Sequence, residues 1–306
     1  MSRWEELKSQ IAGTIVPMTT PFTDSGEVDL DGVRENTRFL LDSGIQVISP
    51  LGSTGEFYTM TQQEHWSVLK AVCEEARGKA RGAPAHVIAG AGHSGTRIAS
   101  QLARMALEAG ADTALVCVPY YLYDGAEGVY QHYRTIAREN PDIGLVVYAN
   151  REIMKDLSIL ERLTAEPNIV GVKDATGDYG LYRDECIQFR GRLAIVGGGS
   201  MQHYLWGWLW GSPGYFCSVA NFKPQVELDF VASLKKGDLE AATRIVEEIE
   251  LPFFKIAIKL GWWRTLKATM DIYGLPGGNS RLPNRRLDAE EKAELVAWLA
   301  KIGLMP

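Results

Sequence analysis

Lys173 closes the apolar run Ile169-Val170-Gly171-Val172 and has the sharpest chemical potential in the chain. An ammonium at the end of such a run is costly to desolvate, so burial lowers its pKa toward neutrality. A neutral amine can attack a ketone and form a Schiff base. The competing expectation is a lysine that reaches solvent or pairs with Asp174. Tyr148 closes the apolar run Gly144–Tyr148, and Tyr120 and Tyr121 follow the run that ends at Pro119. A tyrosine at such a place packs with a satisfied hydroxyl or supplies an acid/base phenol. The turn Gly52-Ser53-Thr54-Gly55-Glu56 sets two hydroxyls between two glycines, which suits either a helix cap or a small anion such as a carboxylate. A bare stretch, Gly197-Gly198-Gly199-Ser200, closes a further run and lets a ligand approach the backbone closely.

These residues need a scaffold that brings strand ends together. Candidate strands lie at Gly13–Pro17, Gln46–Pro50, His86–Ala91, Thr113–Pro119, Gly144–Tyr148, Ile169–Lys173, Leu193–Gly197 and Gly214–Val219. They are apolar almost throughout, the mark of parallel strands buried on both faces. Amphipathic helical patterns separate them: Val33–Asp42, Gln62–Arg77, Thr96–Ala109, Ala126–Arg138 and Leu157–Glu166. Eight such units close as a barrel or spread as a doubly wound sheet. The first candidate strand is followed by Met18-Thr19-Thr20-Pro21, without the glycine fingerprint of a doubly wound nucleotide fold. The expected fold class is therefore α/β, a (β/α)8 TIM barrel over residues 1–225. A C-terminal helical extension follows over 226–306, read as helices at Val226–Lys236, Leu239–Leu251, Phe254–Asp271 and Ala289–Ile302 with a loop at Leu275–Pro283. In such a barrel the chemistry sits at the carboxyl ends of the strands, where all the residues above fall.

Composition narrows the partners. The 306 residues carry 32 Lys+Arg against 38 Asp+Glu, a net charge of -6, which gives no electrostatic reason to expect nucleic acid or an anionic membrane. No window reaches the apolar length of a membrane span, and the charged start Met1-Ser2-Arg3-Trp4-Glu5-Glu6 does not read as a signal peptide, so a cytoplasmic location is expected. Cys73, Cys117, Cys186 and Cys217 are widely spaced and read as reduced, structural thiols. His65, His86, His93, His132 and His203 show no metal-ligand spacing, so no metal is expected. The aromatic stretch Tyr204–Trp210 reads as core or subunit-interface packing.

With Gly52-Ser53-Thr54-Gly55-Glu56, Pro119-Tyr120-Tyr121, Tyr148 and Gly171-Val172-Lys173-Asp174-Ala175-Thr176-Gly177-Asp178 in order, the chain resembles the dihydrodipicolinate synthase / N-acetylneuraminate lyase family from about Gly13 onward. The resemblance implies a cofactor-free class I, Schiff-base enzyme acting on a small-molecule 2-oxo acid. It implies that Lys173 condenses with the C2 ketone and that Tyr148 is the acid/base beside it. Ser53 relays protons with Tyr148, and Thr54 holds the substrate carboxylate. Tyr121 completes the relay, in many members lent by a neighbouring subunit, and Gly198 lies near the pyruvate-like moiety. A homo-oligomer, commonly a tetramer, is implied by the resemblance alone. The synthase branch carries Tyr-Asn-x-Pro-x-Arg at strand five, whereas this chain has Tyr148-Ala149-Asn150-Arg151-Glu152-Ile153, with Ile153 in the arginine's place. Asn150-Arg151-Glu152 and Lys173–Leu181 look closer to the 5-dehydro-4-deoxyglucarate dehydratase branch, although Ser53 stands where that branch has glycine. The favoured expectation is a dehydratase of the 5-dehydro-4-deoxyglucarate type acting on a 2-oxo-3-deoxy sugar acid; the resemblance implies a sugar diacid that loses water and CO2. Aldol cleavage, dihydrodipicolinate formation and an oxo-acid-binding sensor stay open, and Arg151 and Lys155 are candidates to hold a second carboxylate.

Overall fold

A computed structural model describes residues 1–78 and 85–306. Eight strands, β1 (Gly13–Pro17), β2 (Val47–Ser49), β3 (His86–Gly90), β4 (Thr113–Cys117), β5 (Gly144–Ala149), β6 (Ile169–Asp174), β7 (Ala194–Gly198) and β8 (Gly214–Phe216), pair in chain order and close into a barrel. Every pairing is parallel, including that of β8 with β1. Helix α1 (Arg3–Gln10) precedes β1, and α2 (Leu30–Asp42), α3 (Gln62–Ala76), α4 (Thr96–Ala109), α5 (Gly125–Glu139), α6 (Leu157–Leu163), α7 (Tyr179–Gln188), α8 (Met201–Leu209) and α9 (Pro224–Lys236) each follow one strand in turn. The α/β TIM barrel expected from the eight apolar runs is the fold observed. Where a strand is shorter than expected, as in β4 and β8, the residues beyond it leave the ladder and enter the loops at the carboxyl end.

Two packed regions hold the barrel. The outer one joins the strands' outward residues to the helices, for example Leu145, Val147 and Val172 with Tyr133 and Ile136. The inner one stacks Ile15, Val47, Ile88, Leu115, Val146, Val170, Ala194, Val196 and Phe216 along the axis. Such a filled interior is a core and not a pore. Helix α1, absent from the expected elements, closes the amino end of that interior. Ser2 and Glu5 form a reciprocal capping box that starts it. Its Leu7, with Ile11 just beyond, joins the inner cluster, and Arg3 and Lys8 donate to the carbonyls of Asp142 (2.6 Å) and Arg192 (3.1 Å). The charged residues that argued against a signal peptide are the polar face of this plug.

Helix α9 packs around β8, its Phe230 edge-on to Tyr215 at 5.8 Å. Beyond it run α10 (Leu239–Ile245), α11 (Leu251–Leu260), α12 (Trp262–Ile272) and α13 (Ala289–Lys301). The break expected near Pro252 does not occur. A π turn at Val246–Glu250 links α10 to α11, and Pro252 falls in the first turn of α11, where its missing N–H is tolerated. The break comes at Gly261, whose φ of +94° is one that side-chain-bearing residues rarely adopt, and α12 starts there in a new direction. The four cysteines are free and buried. Among the described residues no helix is long and apolar enough to cross a membrane.

Candidate active site

Lys173 and Tyr148 are register partners on adjacent strands. Their inward aim depends on an irregularity in β6. Leu145 pairs with Ile169 while Val146 pairs with Gly171, so Val170 is an extra residue in that ladder. Val170 faces the interior and Val172 the outer helices. Strict alternation from Val170 would send Val172 inward and Lys173 outward. The bulge resets the count and turns Lys173 into the barrel, as bulges beside active sites commonly do. Gly171 permits the close approach to β7, since a Cβ there would lie 2.8 Å from the Ala194 carbonyl oxygen.

The Lys173 amine sits 4.1 Å from the Tyr148 ring centroid and 4.0 Å from that of Phe216. Burial pulls its pKa below the ordinary lysine value, opposed by its interaction with Tyr148. Among the described residues no carboxylate offsets that burial. Asp174, next in the chain, points the other way: its Oδ1 accepts from Thr176 N (2.9 Å) and Oγ1 (2.7 Å), and its Oδ2 lies 3.5 Å from His203 Nε2. Neither escape to solvent nor pairing with Asp174 describes this lysine.

A cleft of about 390 Å³ opens above the amine. Lys173, Tyr148, Ser53, Thr54 and Gly198 all line it, together with Ser49, Ser218 and Phe216. The turn that carries Ser53 and Thr54 is bracketed by two non-glycine residues in left-handed backbone, Leu51 (φ 59°) and Glu56 (φ 55°). Such strain persists only where the surroundings over-determine it. Here Glu56 is fully buried and its Oε1 lies 2.5 Å from Lys267 Nζ of α12, while its Oε2 accepts from Arg281 N (3.2 Å) and Asn284 Nδ2 (3.1 Å). The C-terminal extension therefore clamps the catalytic-end turn.

Tyr121 and Arg151 are not brought to this cleft within one chain. Tyr121 is 80% exposed on the loop after β4. Arg151 is exposed and donates through Nη2 to the Tyr120 carbonyl at 3.4 Å. Lys155 is held by Glu152 (3.1 Å) and Asp178 (3.4 Å). Ile153 packs against the outer core. Sequence reasoning missed the other wall of the cleft, formed by Phe254, Ile258, Trp262 and Trp263. Its only signal was a glycine followed by two tryptophans inside an expected helix, Gly261-Trp262-Trp263.

A closed parallel barrel with a buried lysine amine at its carboxyl-end mouth has the architecture of class I, Schiff-base-forming lyases. The chain belongs to the dihydrodipicolinate synthetase family, whose profile matches residues 10–302, and it is an enzyme of that class. A 4-hydroxy-tetrahydrodipicolinate synthase from Methanopyrus kandleri is 32% identical over 312 residues, which cover 97% of this chain and 98% of the relative. A protein described as "Probable 5-dehydro-4-deoxyglucarate dehydratase" from Methylobacterium radiotolerans is 32% identical over 285 residues, covering 92% of this chain and 91% of the relative. The crystal structure of dihydrodipicolinate synthase from Bacillus clausii superposes with a TM-score of 0.89 at 28% identity, covering 97% of this chain and 100% of that chain.

Proposed function

We propose that Lys173 forms a Schiff base with the C2 ketone of a 2-oxo-3-deoxy sugar acid, and that the enzyme then eliminates water from it. The observation that carries the reading is the amine itself: buried, without a counter-charge, and beside the Tyr148 phenol. The neutral amine attacks C2, forming the N–C bond as the carbonyl π electrons move to oxygen. Tyr148 protonates that oxygen, takes a proton from the new ammonium nitrogen and passes it to the hydroxyl, which leaves as water; an iminium and the Tyr148 phenolate remain. The iminium withdraws electrons from C3, so the Tyr148 phenolate removes a C3 proton and an enamine forms. Tyr148 returns that proton to the C4 hydroxyl, which leaves as water as the enamine electrons form the C3=C4 bond and restore the iminium; its hydrolysis returns the amine and releases the dehydrated 2-oxo acid. Ser53 relays protons to Tyr148, and Thr54 receives the C1 carboxylate through its hydroxyl and backbone N–H. Gly198 borders the three-carbon core. Tyr121, exposed in one chain, joins the relay only if a second copy of the chain presents it.

One feature favours dehydration over synthase chemistry. Ile153, which stands where the synthase pattern has an arginine, spends its side chain on packing against the outer core. Identity does not separate the two, since the relative named as a probable dehydratase, at 32%, falls among synthases at 32% and 34%. Aldol cleavage from the same iminium is the second reading: the C4 hydroxyl loses its proton, the C3–C4 electrons pass to the iminium, and an aldehyde leaves the enamine of pyruvate; Ser53 supplies a hydroxyl where the dehydratase pattern has glycine.

The test is trapping followed by product analysis. Borohydride added with pyruvate attaches a stable adduct to Lys173, located by peptide mass, and Lys173→Ala abolishes both adduct and turnover. Tyr148→Phe keeps some adduct while turnover falls about 100- to 10,000-fold. Turnover that yields a dehydrated acid supports the dehydratase; free pyruvate overturns that assignment in favour of the aldolase. No adduct on Lys173 overturns the Schiff-base reading itself.

A further inference from the structure

The cleft has two dissimilar walls. Its barrel side is built from Lys173, Tyr148 and the hydroxyls of Ser53 and Thr54, and its outer side from Phe254, Ile258, Trp262 and Trp263 of α11 and α12. The break at Gly261 turns α12 so that both tryptophans fall in its first turn, at the cleft. Phe254 and Trp262 meet edge-on at 4.6 Å and 88°, which fixes that corner of the wall. Ile258 is 73% exposed and Trp263 36% exposed, so the outer wall keeps apolar surface uncovered beside the amine.

Charge is distributed just as unevenly. Among the described residues that line the cleft, Lys173 is the one basic side chain, and its nitrogen is committed to the ketone. Arg151 and Lys155, the sequence candidates for a second carboxylate, lie outside the lining, and Lys155 is already paired with Glu152 and Asp178. A carboxylate at the far end of a substrate would lose hydration against this apolar wall with no basic side chain among the described lining residues to receive it. Uncharged C–H surface packs on the same wall favourably.

We infer that Phe254, Ile258, Trp262 and Trp263 form the subsite for the substrate's tail, and that the tail is uncharged: the substrate is a 2-oxo acid with a single carboxylate, at C1. This rests on the Schiff-base reading above, adds the chemical class of the part of the substrate that Lys173 does not touch, and sets this chain apart from the relative named for a glucarate, which is a diacid. The same C–H-rich chemistry occurs in a polyhydroxylated tail and in a hydrocarbon one, and the substrate panel separates them.

The purified full chain is assayed with a six-carbon 3-deoxy-2-oxo aldonate, the matching diacid with a carboxylate at C6, and a 2-oxo acid with a phenyl-bearing tail. The expected result is kcat/KM at least about tenfold higher for the monoacid than for the diacid. Faster turnover of the phenyl-tailed acid than of the aldonate still supports an uncharged tail and assigns it as hydrocarbon; the reverse assigns it as polyhydroxylated. A diacid preferred over both monoacids overturns the inference. Trp263→Ala and Ile258→Ala raise KM for the preferred monoacid up to about tenfold, with a smaller change in kcat, and Trp263→Tyr restores most of the loss. A KM unchanged in both alanine variants also overturns it. Pyruvate trapping separates the two levels: Lys173 labelled but the diacid preferred removes the tail subsite alone, whereas no label removes the reading beneath it.

Discussion

Two lysines of this chain are almost shut away from water, Lys173 at 8% exposure and Lys267 at 2%. Burial pulls both pKa values down. Both amines also stand over aromatic rings, Lys173 over Tyr148 and Phe216 and Lys267 over Phe22 at 4.5 Å. The difference lies in the counter-charge. Lys267 meets the Glu56 carboxylate at 2.5 Å and donates to the Asn279 carbonyl at 2.6 Å, so its charge is neutralised and its protons are occupied. Among the described residues no carboxylate stands beside Lys173; the Tyr148 phenol and the Phe216 ring flank it, and a cleft opens above. One amine is a strut; the other, its pKa lowered by burial, is the nucleophile we propose. The two cooperate, because the Glu56 that Lys267 holds ends the turn carrying Ser53 and Thr54 over Lys173.

The largest expected contrast comes from replacing each lysine by methionine. Lys173→Met loses turnover and pyruvate trapping altogether. Lys267→Met keeps the trap on Lys173. An adduct found on Lys267 in the parent enzyme would break the comparison, since a paired ammonium has no lone pair to offer.

Stability is expected to move in opposite directions in the same two variants. Lys267→Met strands the buried Glu56 carboxylate, a loss of about 3–5 kcal/mol in unfolding free energy, read from denaturant midpoints. Glu56→Gln in that background recovers part of it, because the stranded charge is gone. Lys173→Met removes a buried amine with no counter-charge and leaves a side chain of similar volume, so it stabilises by about 1 kcal/mol, the desolvation relief being partly offset by lost contact with the Tyr148 phenol. A destabilised Lys173→Met would show that the amine is better compensated than its contacts indicate.

The pH dependence sharpens the same point. Lys173 has its pKa lowered in the folded chain, so between that value and the unfolded value near ~10.4 the unfolded state binds more protons. Stability therefore rises with pH across that window, and Lys173→Met lacks this component. Catalysis follows the free amine: kcat/KM falls on acidification through the lowered pKa, about tenfold per pH unit on the limb, at a pH below the ordinary lysine range. An acid limb for imine formation at the ordinary lysine pKa would contradict the role assigned to burial.

Much of the barrel and of its reactive strand ends was legible because the signals are local. An apolar run that ends in lysine, another that ends in tyrosine, and a Gly-Ser-Thr-Gly turn each announce their place within a few residues. Lys267 was not legible for the opposite reason. It lies inside the amphipathic pattern of α12, and what makes it buried and charged is a glutamate at the other end of the chain, met only through tertiary folding. The tail wall failed for a related reason, since the change of direction at Gly261 that aims Trp262 and Trp263 depends on packing against α11. Helix α1 is short, with one fully buried residue, Leu7, and its periodicity is too brief to read.

The bulge in β6 is the subtlest of these unread features, because it is a property of pairing and not of composition. If it aims Lys173, then Gly171→Ala acts on the nucleophile without touching it. The added Cβ would come 2.8 Å from a backbone oxygen of Ala194, which cannot rotate aside as a side chain can. The local strands must separate slightly, at a cost of about 1–3 kcal/mol. The amine two residues on shifts with them, and small displacements of a reacting group weigh heavily on rate. The rate of pyruvate trapping at Lys173 is expected to fall about tenfold, measured by the time course of borohydride-stabilised adduct. Lys267 and the turn it braces lie on the opposite side of the barrel's rim, carried by α12 and the loop after β2, so coupling between Lys267→Met and Glu56→Gln should be unaltered in the Gly171→Ala background. A trapping rate equal to that of the parent would mean that the bulge is incidental and that Lys173 finds the cleft by its own length.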